Sequence, residues 1–115
     1  MTPSMEALQE TLDKYGGLYS AQDIVDNVKA GTMQGFVVND TWGVTQIIDY
    51  PRKRVLFIVA AIGNLDDSLG ELNQQFIQYA KDIGAAMIVT YGRDGWDRVK
   101  PEGWAKISNM YCYEV

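Results

Sequence analysis

Apolar positions change their spacing twice along the chain, which divides it into a helical front, a β-rich middle and a mixed remainder. Leu8, Leu12 and Tyr15 recur at helical steps behind a Thr2-Pro3 opening, and Gly16-Gly17 ends the run. Proline suits the first helical position because its missing N–H has no partner there. Ser20 with Asp23 three residues later has the form of a capping box, and Tyr19 is placed to staple onto Ile24. Ile24, Val25 and Val28 supply the buried face of this second helix, which Gly31 closes.

The middle of the chain reads as strands. Gln34 to Asn39 contains Phe36, Val37 and Val38, Asp40 and Thr41 supply a turn, and Trp42 to Tyr50 alternates through Val44, Thr45, Ile47 and Ile48. Tyr50-Pro51-Arg52-Lys53 turns again into Arg54 to Ile62, RVLFIVAAI, whose nearly unbroken apolar run belongs at the centre of a sheet covered on both faces. These three strands predict an antiparallel meander. Beyond Gly63, Leu65, Leu69, Leu72, Phe76, Ala80 and Ile83 step by four and three, the strongest helical signal in the chain, and Gly84 stops it before the strand Ala86 to Tyr91. Strand, helix and strand joined by short loops predict a right-handed crossover with parallel neighbours. A short helix near Trp96 to Lys100, a turn at Pro101-Glu102-Gly103 and a last strand from about Ala105 to Glu114 complete the reading. The fold class is α/β (α+β): a mixed sheet, an antiparallel meander plus one parallel β-α-β crossover, flanked by helices. With no repeat or linker, residues 1–115 form one domain, large enough to fold without a metal or disulfide.

Composition narrows the chemistry. The chain has no histidine, which excludes an imidazole base, a Ser-His or Cys-His pair and an ordinary zinc or copper site, so no metal is expected. Residues 1–49 hold seven acidic side chains against Lys14 and Lys29, which accounts for the whole net charge of −5. An acidic front disfavours a phosphate backbone, so no nucleic-acid partner is expected. The single cysteine, Cys112, has no partner for an intramolecular disulfide and no neighbouring cation to activate it. The apolar run Val55 to Ile62 is far short of a membrane span, and no N-terminal signal pattern is present. A cytoplasmic or virion location is expected.

The order of elements, the strand and turn AMIVTYGRDGW, and Glu102-Gly103-Trp104 before the last strand resemble the GNAT superfamily of N-acyltransferases over about residues 16–115. Small GNAT-like proteins of phages and prophages are the nearest in kind. The family usually begins with a strand, whereas this chain enters a helix at once. The resemblance implies a loop after the central strand that holds the diphosphate of acetyl-CoA through a Q/R-x-x-G-x-G/A pattern, since glycines allow close approach and a helix N-terminus favours an anion. Here that loop would use Gly63, Asn64, Ser68 and Gly70, with the two glycines too far apart for the pattern. Asp66, Asp67 and Glu71 stand where the anion would sit. Each favours the helix dipole by about 0.3–1 kcal/mol and repels a phosphate by roughly 1 kcal/mol per close pair in water. The family's tyrosine acid stands four residues before a Gly-aromatic pair, and counting back from Gly103 reaches Val99. The candidates left for acid and base work are Glu102 and Tyr111, with Asp97, Tyr91 and Tyr113 behind them.

Trp42 and Trp96 read as core, while Trp104 beside a turn and the basic cluster Arg52, Lys53 and Arg54 read as an interaction surface or, for the cluster, as protection of a strand edge. Gly92-Arg93-Asp94-Gly95 reads as a turn, with Arg93 able to meet an anion. A family-like order with an acidic cofactor loop points first to a non-catalytic GNAT-like phage or prophage protein, a virion or accessory component that takes a protein partner and no cofactor. The second reading is an atypical acetyl-CoA-dependent N-acyltransferase that holds its cofactor through backbone groups of the central strand, which requires a gap between strands 54–62 and 86–91 large enough for a pantetheine arm. The third is a small acidic inhibitor of a host protein.

Overall fold

The computed structural model describes residues 3–92, 100–108 and 110–115. Three helices, α1 (Met5–Lys14), α2 (Ala21–Ala30) and α3 (Leu65–Asp82), flank one sheet of four strands, β1 (Gln34–Val38), β2 (Thr41–Asp49), β3 (Arg54–Gly63) and β4 (Met87–Val89). The strands lie in the order β1-β2-β3-β4. The first two pairings are antiparallel and β3 with β4 is parallel, so the expected meander and crossover are both present.

Local chemistry sets the helix ends. Ser4 caps α1, its Oγ accepting the Ala7 N–H at 3.1 Å, so the helix starts later than Thr2-Pro3 suggests and Pro3 is buried ahead of it. The capping box of α2 is complete: Ser20 Oγ accepts the Asp23 N–H at 3.0 Å and Asp23 accepts the Ser20 N–H at 2.8 Å. The Ser20 backbone N–H, and after it the Ser20 hydroxyl, hold the Asp23 carboxyl below its ordinary value. The buried residues of α2 are Ala21 and Ile24, while Val28 turns partly to solvent. The first hairpin turns at Asn39-Asp40, where Asn39 adopts φ 51°, a conformation asparagine tolerates. Thr41 therefore belongs to β2, fully buried, and its hydroxyl donates to the Asn64 carbonyl at 3.1 Å.

The sheet separates two apolar layers. On one face Leu8, Leu12 and Ile24 pack on Val44, Ala60 and Ile62, with Trp42 against them. On the other, Leu72 and Phe76 of α3 pack on Val38 and Ile58. Phe76 also meets the Phe36 ring edge to face at 5.0 Å. This second layer depends on Gly43: a Cβ there would lie 2.7 Å from the Phe76 ring and 3.1 Å from Leu72. Gly63, at φ 117°, ends β3 against the first hairpin, where a Cβ would fall on the Asp40 carbonyl oxygen.

At the opposite end of β3, Arg54 grips both oxygens of Asp49 at 2.7 and 3.2 Å and donates to the Ile83 carbonyl at 2.9 Å. Arg54 is thus a fastener between the β2–β3 turn and the end of α3, and only Arg52 and Lys53 of the predicted basic surface point out unpaired among the described residues. The Arg54 guanidinium holds the Asp49 carboxyl below the usual range.

Two expected elements differ. The strand after α3 is shorter than Ala86 to Tyr91, because β3 and β4 part company after three paired positions. The predicted last strand is absent among the described residues 104–108 and 110–115, with Ile107, Tyr111 and Tyr113 72, 89 and 90% exposed. Alternation alone does not make a strand; it needs a neighbouring edge and a covered face. Trp96 to Val99, the body of the predicted short helix, lies outside the described residues, as do Arg93, Asp94 and Gly95.

Two glycines should respond oppositely to alanine. Gly43→Ala overpacks the α3 layer and should cost about 1–3 kcal/mol in denaturant unfolding. Gly70→Ala, in mid-α3 with open space around its Cβ, should stabilise by about 0.5–1 kcal/mol. Acid should also weaken the fold in a defined direction. Asp23 and Asp49 have lowered folded values, so their stabilisation is present above the unfolded value near 3.8 and is lost as pH falls through the folded values. Thermal unfolding from pH 6 to pH 2 should show a smaller acid loss in Asp23→Asn and Asp49→Asn than in the parent chain.

Candidate functional site

The parallel pair supplies the opening. Phe57 against Val89 is the last paired position of β3 and β4, and the Thr90 hydroxyl closes the next step by donating to the Ile58 carbonyl at 3.2 Å. Beyond it β3 continues to Gly63 with no β4 residue opposite. The divergence coincides with a break in the β2–β3 ladder: Val44 faces Ala60 and Thr45 faces Ile58, which leaves Val59 as a bulged extra residue. Bulges bend a strand and re-aim its backbone, and they gather beside functional sites. Crevices at the carboxyl ends of parallel strands are the usual ligand positions of such sheets.

The resulting cleft encloses a cavity of about 90 Å³. The free stretch of β3 forms its floor, Leu65, Leu69, Asn73 and Phe76 of α3 form one wall, and Thr90 to Gly92 the other. Tyr15 closes one side from the end of α1, and Pro101 with Trp104 covers the other. Tyr91 is held in place by its neighbours, stacking on Tyr15 at 6.4 Å and meeting the Phe57 ring edge to face at 5.3 Å. Trp104 is fixed by its indole N–H, which donates to Asn73 Oδ1 at 2.9 Å. Among the described lining residues the only ionisable groups are the phenols of Tyr15 and Tyr91.

Among the described residues, neither Ile62 nor Tyr91 fills the gap. Ile62 packs on the opposite face with α1 and α2, and Tyr91 forms a wall of the cleft. Of the candidates read from sequence, Trp104 and Tyr91 come to the cleft. Glu102 lies exposed in the turn between Pro101 and Trp104, both of which line it. Tyr111 and Tyr113 are exposed and line no part of it, and Asp97 lies outside the described residues. Arg52 and Lys53 sit at the far end of the sheet. Tyr15, Asn73 and Thr90 line the cleft without being marked by the sequence reading. Asn73 does carry a signal, since it is a polar residue interrupting the stripe that runs from Leu69 and Leu72 to Phe76.

The two halves of acetyl-CoA meet different chemistry here. An acylated pantetheine arm, slender and amide-bearing, would meet apolar walls and a strand edge that is unpaired among the described residues. The diphosphate would arrive at the start of α3, because Leu65 and Leu69 line the mouth of the cleft. There Asn64 gives the helix no side-chain cap; its amide instead donates to the Asp67 carboxylate at 2.8 Å and holds that anion beside the first turn. Asp66 is a second carboxylate in the same turn. Ser68 is buried and Gly70 opens to solvent further along α3, so neither forms a cradle with Gly63. The chemistry of the lining suits such an arm, whereas the acidic first turn of α3 does not suit the diphosphate. Among the described residues no group of His, Cys, Asp and Glu is arranged to hold a metal, and no helix is long and apolar enough to cross a membrane.

Comparison with known proteins places this architecture. No protein-family model matches the chain, and no curated protein matches it in sequence. Solved structures do match. A Thermus thermophilus protein superposes over 100% of this chain and 95% of its own with a TM-score of 0.61 at 13% identity. A Trypanosoma brucei acetyltransferase superposes over 96% of this chain and 92% of its own, with a TM-score of 0.62 at 11% identity. A ribosomal-protein-alanine N-acetyltransferase from Brucella melitensis covers 93% of each chain, with a TM-score of 0.51 at 8% identity. At such low identity the likeness speaks for the fold alone, and the fold of this chain is GNAT-like.

Proposed function

We propose that the chain binds an acyl thioester in the β3–β4 cleft and acts as an N-acyltransferase, the second of the readings the sequence left open. The observation that carries this is the parting of the two parallel strands beyond Phe57 and Val89, which leaves an apolar slot beside a strand edge unpaired among the described residues. The solved neighbours that are named as acetyltransferases support it. They lend no support to a phage or virion role.

The protein's part in such a reaction follows from its residues. The β3 edge hydrogen-bonds the amides of an extended arm and fixes its register. Phe76, Leu69 and Trp104 exclude water around the thioester. A bound thioester supplies an acyl carbon whose bond to sulfur breaks as the bond to an amine nitrogen forms. In this reading the Tyr91 hydroxyl, on the cleft wall, hands a proton to the departing sulfur, and Glu102, exposed in the adjoining turn, takes one from the amine.

A separate observation favours a protein contact as a second reading. Met110, Tyr111, Tyr113 and Val115 are all at least 70% exposed. Exposed apolar side chains close together in sequence are what an interaction segment would offer a partner. An amine-bearing protein recognised by this segment would reconcile both readings.

Calorimetry with a short acyl thioester should detect binding to the parent chain. Ala61→Leu, which fills the slot from its floor, should weaken that binding at least tenfold while thermal unfolding shows the variant folded. Tyr91→Phe should leave binding unchanged and lower the rate of acyl transfer to an amine by roughly 10² or more, the usual reach of a general acid. Unaltered binding in Ala61→Leu would place the ligand elsewhere.

A further inference from the structure

The cleft and the start of α3 suit opposite chemistries, an uncharged arm and no added anion. The slot is closed at its inner end, where Phe57 and Val89 are paired and Thr90 bonds to Ile58. A thioester seated there with its carrier laid along the free stretch of β3 reaches Leu65, the first residue of α3, which lines the cavity. The first turn of a helix would ordinarily welcome an anion. In this chain Asp66 and Asp67 occupy it, and the Asn64 amide, 2.8 Å from Asp67, spends its hydrogen bond on keeping the carboxylate in place. The exposed pair Arg52 and Lys53 of the basic cluster lies before the start of β3, ten strand residues and so roughly 30 Å from its other end.

We infer that the acyl donor is a pantetheine-type thioester bearing no diphosphate, and that Asp66 and Asp67 select against acetyl-CoA. This rests on the reading of the cleft as an acyl-thioester site and adds the class of donor to it. The apolar walls supply affinity for the uncharged arm, while the carboxylates at the exit repel each phosphate added beyond it. Like charges near a surface are screened by salt, so the discrimination is electrostatic and salt-sensitive. Specificity of this kind arises from a repulsive element set against the wrong ligand.

The test is a charge series on the full chain. Dissociation constants of S-acetylpantetheine, S-acetyl-4′-phosphopantetheine and acetyl-CoA are measured by calorimetry at low salt and at high salt. The expected order is weakening affinity with added phosphate, acetyl-CoA binding at least tenfold less tightly than S-acetylpantetheine, with the gap narrowing at high salt. Asp66→Asn with Asp67→Asn should narrow the gap at low salt and leave the S-acetylpantetheine constant unchanged. Tighter binding of acetyl-CoA than of S-acetylpantetheine would overturn the inference and leave the cleft reading standing. A gap that survives the double substitution would overturn the role of the two aspartates. Failure of all three thioesters to bind would remove the cleft reading itself, and the inference with it.

Discussion

Phe76 and Leu72 pack onto bare backbone at Gly43, and the position of α3 over the sheet follows from that contact. Any side chain at residue 43 would push the helix outward. Protein interiors are packed to crystal density and transmit such displacements, so the consequence would reach beyond the contact itself. Leu69 and Asn73 stand on the same helix a turn away and wall the cleft, and Asn73 holds Trp104 over it. Core packing and site geometry are in this way one constraint. The Arg54 bonds to Asp49 and to the Ile83 carbonyl secure the other end of α3, and Gly63 secures its beginning.

With α3 held at both ends, β3 can serve two partners unequally. It is paired along its whole length by β2 but over only three residues by β4. The bulge at Val59 lies where the β4 pairing stops, so the strand bends where it becomes free. An unpaired strand edge inside a fold is costly unless a ligand or water satisfies it. Here it floors an apolar slot, which is an arrangement suited to an extended, amide-bearing ligand. The proposed donor reading joins that slot to the two carboxylates in the first turn of α3, whose charge does not suit a diphosphate.

Much of the fold is legible in the chain because the signals are local. The capping box at Ser20 and Asp23, the unbroken apolar run of β3 and the four-and-three stepping of α3 each depend on residues near one another in sequence. The first hairpin turn falls at Asn39-Asp40 rather than Asp40-Thr41, because Thr41, polar and turn-like in isolation, spends its hydroxyl on the Asn64 carbonyl inside the core. The last strand fails for the converse reason. Ile107, Tyr111 and Tyr113 alternate as strand residues do, yet no strand pairs with them among the described residues.

The site itself divides along the same line. The element order, the acidic start of α3 and the absence of histidine can be read from the chain unaided, since composition and short-range periodicity carry them. Packing in three dimensions is what parts β3 and β4 beyond Phe57 and Val89 and gathers Tyr15, Asn73, Tyr91 and Trp104 around the gap. It also makes Arg54 tie down the turn while the other two cations stand far from the cleft. These are meetings between residues tens of positions apart, set by packing and by where a ladder of hydrogen bonds ends. Nothing in the local order of side chains encodes such a meeting.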